Sequence, residues 1–480
     1  MTTHELQKLI EKLKILCSET QTVEVKSARE GCPTRLYDTL SSFSNQDDGG
    51  VILFGIDEKN GFAPVGVYDA HDLQKRVNEQ CKEMEPAVRP LFTVLEDRGL
   101  VFVSAEIPAI DISERPCFYK GKGRMKGSWI RVGDSDEPMS DYEIYSYEAY
   151  RKKYQDDLRE VPRVTLPALN QPLLDAYLHA LKMEKPNLSS LSNAQIIELI
   201  SIVHSGKVAL WAVLLLSLFP QAYFPQLSII ACVVPGTQMG SLGSSGERFI
   251  DNKRIDGNIP TMLEEAMNFV RANMRRKTVI DGKTGRRTDT PDYPLSAVRE
   301  VLLNALVHRD YSVHTEGMPI QLTLFSDRME VRNPGGLYGR LRIDQLGKAQ
   351  PDTRNPALAT ALEVMRITEN RYSGIPTIRR EMQAVGLPEP VFEDDRGSFS
   401  VRLYRQPEHP IAKDLLTSLL SFCRTPRTRA ELAEFLGMKS VNYAIKTYVM
   451  PLVESGHIAL SLPMTPSSSK QRFTTVSDRG

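Results

Sequence analysis

The run Val51-Ile52-Leu53-Phe54-Gly55-Ile56 carries no polar side chain, which predicts a buried strand. A turn by composition, Asn45 to Gly50, feeds the strand, and Asp57 ends it. Upstream, Thr22-Val23-Glu24-Val25-Lys26 alternates and reads as a second strand, with Glu24 and Lys26 on one face and the valines on the other. Pairing of the two strands would bring Asp57 near Glu19 and Glu24. Three carboxylates at one point repel each other unless a cation sits among them. Mg2+ or Mn2+ takes such oxygen ligands, can generate hydroxide and can steady a phosphodiester transition state. Lys26, beside Glu24, can neutralise a phosphate. The same residues also read as a salt-bridged, solvated face next to a glycine-rich turn, and spacing alone leaves both readings open.

At 480 residues the chain has room for two to four domains. Lys plus Arg and Asp plus Glu both number 60, so no overall basic excess points to nucleic acid, although local patches remain compatible with it. The first residues form an amphipathic helix with Leu6, Leu9, Ile10, Leu13 and Leu16 at helical spacing, and they contain no signal core. The apolar run Val208 to Pro225 is interrupted by Pro220 and is too short to span a bilayer, so a buried helix and no membrane association are expected. Six cysteines without CxxC or other metal-ligand spacing fit a reduced, cytoplasmic protein.

The element pattern predicts an α+β multidomain chain divided at 1–160, 161–290, 291–408 and 409–480. In the first region strands are expected at 22–27, 50–57, 91–97, 100–107 and 128–133, and helices at about 34–44 and 71–83. The second is a connector packed with the third. Its basic stretch "RRKTVIDGKTGRRTD" suggests a hairpin. The last reads as helix, turn at Gly437, second helix, then two strands, which is winged-helix order with Thr428 as an N-cap. Lys439, Asn442, Tyr443 and Lys446 would line the groove-facing side of its second helix.

Two further segments carry chemistry. "FYKGKGRMKGSWIR" sets Lys120, Lys122, Arg124, Lys126 and Arg131 among Tyr119 and Trp129, a flexible basic segment suited to a phosphate backbone with stacked bases, or else a solvated hairpin tip. In "SAVREVLLNALVHRD", Glu300, Asn304 and His308 recur every four residues and share one helix face, flanked by Arg299. A strand then runs into "VRNPGGLYG", where Gly335 and Gly336 let backbone approach a ligand.

"SETQTVEVKSA" followed by "SSFSNQDDGGVILFGIDE", with the later "GSWIRVGDS", resembles the Schlafen-type (AlbA-like) domain over about residues 15–150. That resemblance implies an α/β fold and, in nuclease-active members, a divalent-metal site, here Glu19, Glu24 and Asp57 with Lys26 beside them. Gln46-Asp47-Asp48 departs from the pattern by one polar residue. The segment 290–405 is similar to the GHKL-type ATPase domain, an α/β sandwich. The resemblance implies ATP as ligand, Glu300 orienting a water, Asn304 holding Mg2+, Asn333 at the adenine with Gly335 behind it, and Gly374 in the lid. Asn333 replaces the usual acid and "YSGIP" is a reduced lid motif, so weak or absent ATPase activity is expected.

Together these resemblances imply a metal-dependent endonuclease, RNA or tRNA favoured, gated by nucleotide, with antiphage defence as the family context. The competing reading is an ATP-binding, DNA-binding transcriptional regulator without nuclease chemistry, and a third is a nucleotide-sensing scaffold. Both module types commonly self-associate, so a homo-oligomer is expected.

Overall fold

The computed structural model describes residues 1–280, 287–350, 352–368, 373–395, 397–405, 413–438, 441–454, 456–462, 468 and 471–476. Two compact units divide the chain, Met1–Arg405 and Gln406–Gly480.

The first unit begins with helix α1 (Thr3–Leu16), whose N-terminus is closed by a Thr2/Glu5 capping box. Strand β1 (Val23–Lys26), helix α2 (Tyr37–Asn45), strand β2 (Gly50–Phe54), helix α3 (Ala70–Lys82) and strands β3 (Leu91–Asp97) and β4 (Leu100–Ile107) follow. They form a four-stranded sheet in the order β1-β2-β4-β3, with β1 and β2 parallel and the other pairs antiparallel. Both faces are covered, which explains the unbroken apolar run of β2. Val23, Val25 and Leu53 pack on Leu6, Ile10 and Leu13 of α1, while Ile52 and Phe54 pack with Leu40 and Phe43 of α2 and Leu73 and Val77 of α3. Because side chains alternate along a strand, Glu24 and Lys26 project to the α2 side. A hairpin of β5 (Trp129–Val132) and β6 (Ser135–Pro138) and a helix α4 (Asp141–Lys152) complete this module.

The second module has one continuous core from Val161 to Leu403. Helix α5 (Leu210–Leu216), all seven residues buried, accounts for the apolar run. Strands β7 (Ile229–Val233) and β8 (Asp251–Ile255) and helices α6 (Ile259–Asn273) and α7 (Leu295–His308) come next. Strands β9 (Ile320–Leu324) and β10 (Arg328–Pro334), helices α8 (Pro356–Val364) and α9 (Gly374–Ala384), and strands β11 (Val391–Asp395) and β12 (Ser398–Tyr404) complete it. The sheet order is β8-β7-β9-β10-β12-β11, with only β7 and β9 parallel. Since β7 pairs β9, the segments 161–290 and 291–408 share one sheet. The basic stretch does form an antiparallel pair, Arg276–Ile280 with Arg287–Pro291.

The second unit runs helix α10 (Lys413–Phe422), strand Arg427–Thr428, helix α11 (Arg429–Phe435) with its Thr428/Glu431 capping box, and a helix from Val441 to Glu454 through a π turn at Ile445–Val449. Strands Ile458–Leu460 and Arg472–Thr475 close it. The three strands form one sheet over Leu419, Leu432, Ile445, Val449, Ile458 and Phe473. Among the described residues no helix is long and apolar enough to cross a membrane.

Candidate functional site

Glu19 and Glu24 do come together on the α2 side of the first sheet, around a residue assigned elsewhere by its place in the sequence. Arg131, on β5, has a side chain only 1% exposed, and its guanidinium meets Glu19 Oε2 at 3.5 Å, Glu24 Oε2 at 2.8 Å and Asp136 Oδ1 at 3.0 Å. Asp136, on β6, also accepts from Thr39 and Ser42 of α2, at 2.6 and 2.5 Å. Lys26 pairs with Glu24, and Glu19 Oε1 accepts from the Val25 N–H at 2.6 Å. Burial, then the neighbouring Glu24 charge, push the Glu19 carboxyl up to about 7. With Glu19 protonated, two carboxylates face two cations and the cluster is neutral.

Asp57 stands apart from this cluster. The chain leaves the sheet at Gly55, whose φ of +105° suits glycine, and Ile56–Asp57 pairs instead with Ala63–Pro64. The Asp57 carboxylate accepts from the Lys59 N–H at 3.2 Å and caps a short turn. Among the described residues no three His, Cys, Asp or Glu are gathered to hold a metal ion. In this arrangement Arg131 and Lys26 pair with Glu19 and Glu24 where a cation would sit, and Asp57 is not part of the cluster.

The basic segment is a helical turn, Lys120–Lys122 continued by Gly123–Gly127, and not a loose hairpin. Arg131 is buried, so it cannot track a phosphate backbone. Arg124 pairs with Glu148 and lies over the Phe118 ring. Lys120 donates to the Lys82 carbonyl, Lys122 lies 5.4 Å from the Trp129 ring centre, and Lys126 is exposed. These three lysines keep a solvent-facing surface. Lys439 lies outside the described residues, as do the side chains of Asn442, Tyr443 and Lys446. The extra polar residue near Asn45 is absorbed by Arg115, which holds Asp47 at 2.9 Å and the Gln46 carbonyl at 3.0 Å.

In the second module, Glu300, Asn304, His308, Asn333, Gly335, Gly336 and Gly374 all line one cavity of about 700 Å3. Helix α7 supplies the first three on one face, β10 ends in Asn333, and α9 starts at Gly374. Asn304 Nδ2 lies 3.3 Å from Glu300 Oε1. A Cβ on Gly374 would fall 2.3 Å from Glu300 Oε1 and 2.8 Å from Asn304 Nδ2, so α9 begins against the ends of these two side chains, which would have to shift for a larger residue. Asn333 is 5% exposed and its enclosed Oδ1 has no hydrogen-bond partner among the described residues. A buried acceptor left unpaired costs about 1–3 kcal/mol unless a ligand or water satisfies it. Enclosure by protein, then the charge of Arg354, hold the His308 ring below its ordinary pKa and keep it neutral. The ring is nonetheless open to the cavity.

Residues 19–140 match the family model described as "Schlafen, AlbA_2", and residues 317–403 match "Putative ATP-dependent DNA helicase recG C-terminal". The chain joins a Schlafen-type domain to an ATPase-like domain. Among solved structures it is similar to the DIP2311 protein of Corynebacterium diphtheriae, at 19% identity over 91% of this chain and 88% of that one, with a TM-score of 0.40. It is also similar to the N-terminal domain of a "Putative ATP-dependent DNA Helicase RecG-related Protein" of Nitrosomonas europaea. That match is 24% identical over 29% of this chain and 94% of that one, with a TM-score of 0.24. Among curated proteins none matches.

Several residues of the ATPase-like domain escaped the sequence reading. Arg354, 6% exposed, lines the cavity and meets Asp310 at 3.3 Å. A Cβ on Gly335, whose φ is +96°, would fall 2.3 Å from Arg354 Nη1. Asn355 Nδ2 donates to the Val307 and Arg309 carbonyls at 2.8 and 2.7 Å, fixing the end of α7. The signal available was the repeated tyrosines of "DYEIYSYEAY", since Tyr142 and Tyr150 reach this region from the helix that follows the Schlafen-type match.

Proposed function

We propose that this chain is a nucleotide-controlled, nucleic-acid-binding protein in which the ATPase-like domain holds ATP and the Schlafen-type domain engages nucleic acid. The observation that carries the reading is the cavity itself. Glu300, Asn304 and His308 from one helix face, Asn333, and the glycines Gly335, Gly336 and Gly374 line it together, and they supply the carboxylate, amide and close backbone approach that a nucleotide's phosphates and base would use.

The residues also fit Mg2+ arriving with a nucleotide, since Mg2+ is commonly held by one or two protein oxygens plus substrate phosphates. Glu300 and Asn304 would hold it, and it would supply charge neutralisation at the phosphates. The start of α9 offers its N–H groups and dipole to the same anion, although Pro376 withdraws one N–H from that first turn. That loss, with Gly374 packed against Glu300, favours binding over turnover. Titration of the full chain with Mg·ATP tests the reading. Saturable binding of one nucleotide per chain, weakened by Asn304→Ala, is expected. Heat-silent titration with no saturable binding by any second method refutes it.

A divalent-metal endonuclease acting on RNA is the second reading, favoured by the convergence of Glu19 and Glu24 and opposed by Arg131 between them. Mn2+-dependent cleavage of structured RNA lost in Glu24→Ala would establish it. Self-association and a cytoplasmic location belong to the same proposal, with light scattering and cell fractionation as their tests.

A further inference from the structure

Helix α4 begins where the Schlafen-type match ends, and its tyrosines bond to residues at the wall of the nucleotide cavity. The Tyr142 hydroxyl donates to Asp310 Oδ2 at 2.7 Å, and the same oxygen meets Arg354 Nη1 at 3.3 Å. The Tyr150 hydroxyl donates to Asp352 Oδ2 at 3.0 Å. Beyond the helix, Asp157 accepts from the Ala357 and Leu358 N–H groups at 2.8 and 3.1 Å and so caps α8. Asp352 and Arg354 line the cavity. One short stretch, 352–358, therefore faces the ligand space on one side and is held by residues 142–157 on the other. Asp310 and Asp157 are 3% and 0% exposed, so water does not screen their bonds, whereas Asp352 is exposed and its bond to Tyr150 faces solvent.

The other end of the helix leads to the acidic cluster. Helix α4 is capped by Ser140, two residues after β6 ends at Pro138, and β6 carries the Asp136 that holds Arg131 against Glu19 and Glu24. Beside α4 lies a second cavity, about 630 Å3, with Tyr142, Tyr147 and Tyr150 on the helix side and Tyr338, Arg340 and Arg342 opposite. The helix thus borders open space on one flank.

We propose that α4 senses occupancy of the nucleotide cavity, with Tyr142 and Tyr150 as positioning residues, and relays it through β6 to the Arg131–Glu19–Glu24 cluster. The proposal rests on the nucleotide reading and names its regulation. A ligand that contacts Arg354 or Asp352 competes with Asp310 and Tyr150 for the same groups, so it would favour a setting of the 352–358 stretch with those bonds released over the one described. Such a difference in affinity is what a ligand needs to shift a conformational equilibrium. By linkage, whatever engages the acidic cluster alters nucleotide affinity by the same factor.

Hydrogen exchange of the full-length chain tests this, with Mg and the non-hydrolysable ATP analogue AMPPNP as the probe and calorimetry run alongside. In the wild type, bound nucleotide is expected to slow exchange across 141–152 by about tenfold, because ligand binding suppresses local opening. In Tyr142→Phe/Tyr150→Phe, nucleotide still binds but the bound-to-free ratio across α4 returns to one. A merely structural role for the tyrosines would speed exchange in both states and leave that ratio as in the wild type, which overturns the proposal. Calorimetric binding with unchanged α4 exchange in the wild type overturns it too while sparing the nucleotide reading, and that comparison needs no variant. Absence of any nucleotide binding removes the nucleotide reading itself, and the proposal with it.

Discussion

Replacing Glu19 with glutamine should stabilise the protein at alkaline pH, although it deletes an ion pair. The Glu19 carboxyl stands at about 7 in the fold against an ordinary 4.5, roughly 2.5 pH units higher. At ~1.36 kcal/mol per unit, its ionised form costs the fold about 3 kcal/mol. The folded chain therefore binds more protons than the unfolded chain between these values. Stability contributed by Glu19 is at its fullest below pH 4.5, falls as pH rises, and is lost above pH 7. A glutamine carries no such penalty, and its oxygen can still accept from the Val25 N–H. Urea unfolding of wild type and Glu19→Gln at pH 5, 6, 7 and 8 provides the assay. The difference between the two curves should grow from about 1 kcal/mol at pH 5 to about 3 kcal/mol at pH 8 in favour of the variant. Asp157, which burial raises to about 6, adds a slope of the same sign to both proteins and cancels in the difference. A constant difference across pH, or a variant less stable at pH 8, refutes the charge count of the cluster.

Arg131→Met strands two buried carboxylates and should cost about 3–5 kcal/mol in urea, partly recovered by adding Glu24→Gln. Gly335→Ala meets both a φ of +96° and a 2.3 Å approach to Arg354 Nη1. It should lose about 2 kcal/mol of stability and bind Mg·ATP at least about tenfold more weakly, read by unfolding and calorimetry. Changing Lys120, Lys122 and Lys126 together to alanine should lower the slope of log K against log salt for single-stranded nucleic acid by about 2, measured by fluorescence anisotropy, since each phosphate contact contributes roughly 0.7.

Much of the first sheet was legible because apolar alternation and length fix strand identity. β1, β3 and β4 lie where the pattern placed them, and the unbroken apolar run of β2 follows from helices on both faces. Four-residue recurrence on α7 placed Glu300, Asn304 and His308 on one face for the same periodic reason. What was not legible depends on tertiary partners. Arg131 sits in a basic run and reads as solvated, yet it is buried because Glu19, just before β1, Glu24 on β1 and Asp136 on β6 all pair with it. Asp57 ends an apolar run, but the kink at Gly55 takes it into a cap. Arg354 and Tyr142 meet only through Asp310, a contact no local pattern encodes.

A crystal structure of the full chain grown with Mg and AMPPNP tests the central claim most directly. The account places the base beside Asn333 and Gly335, with the phosphates between Asn304 and the start of α9 at Gly374. A nucleotide bound elsewhere, or a cavity that stays without one at saturating ligand, contradicts it.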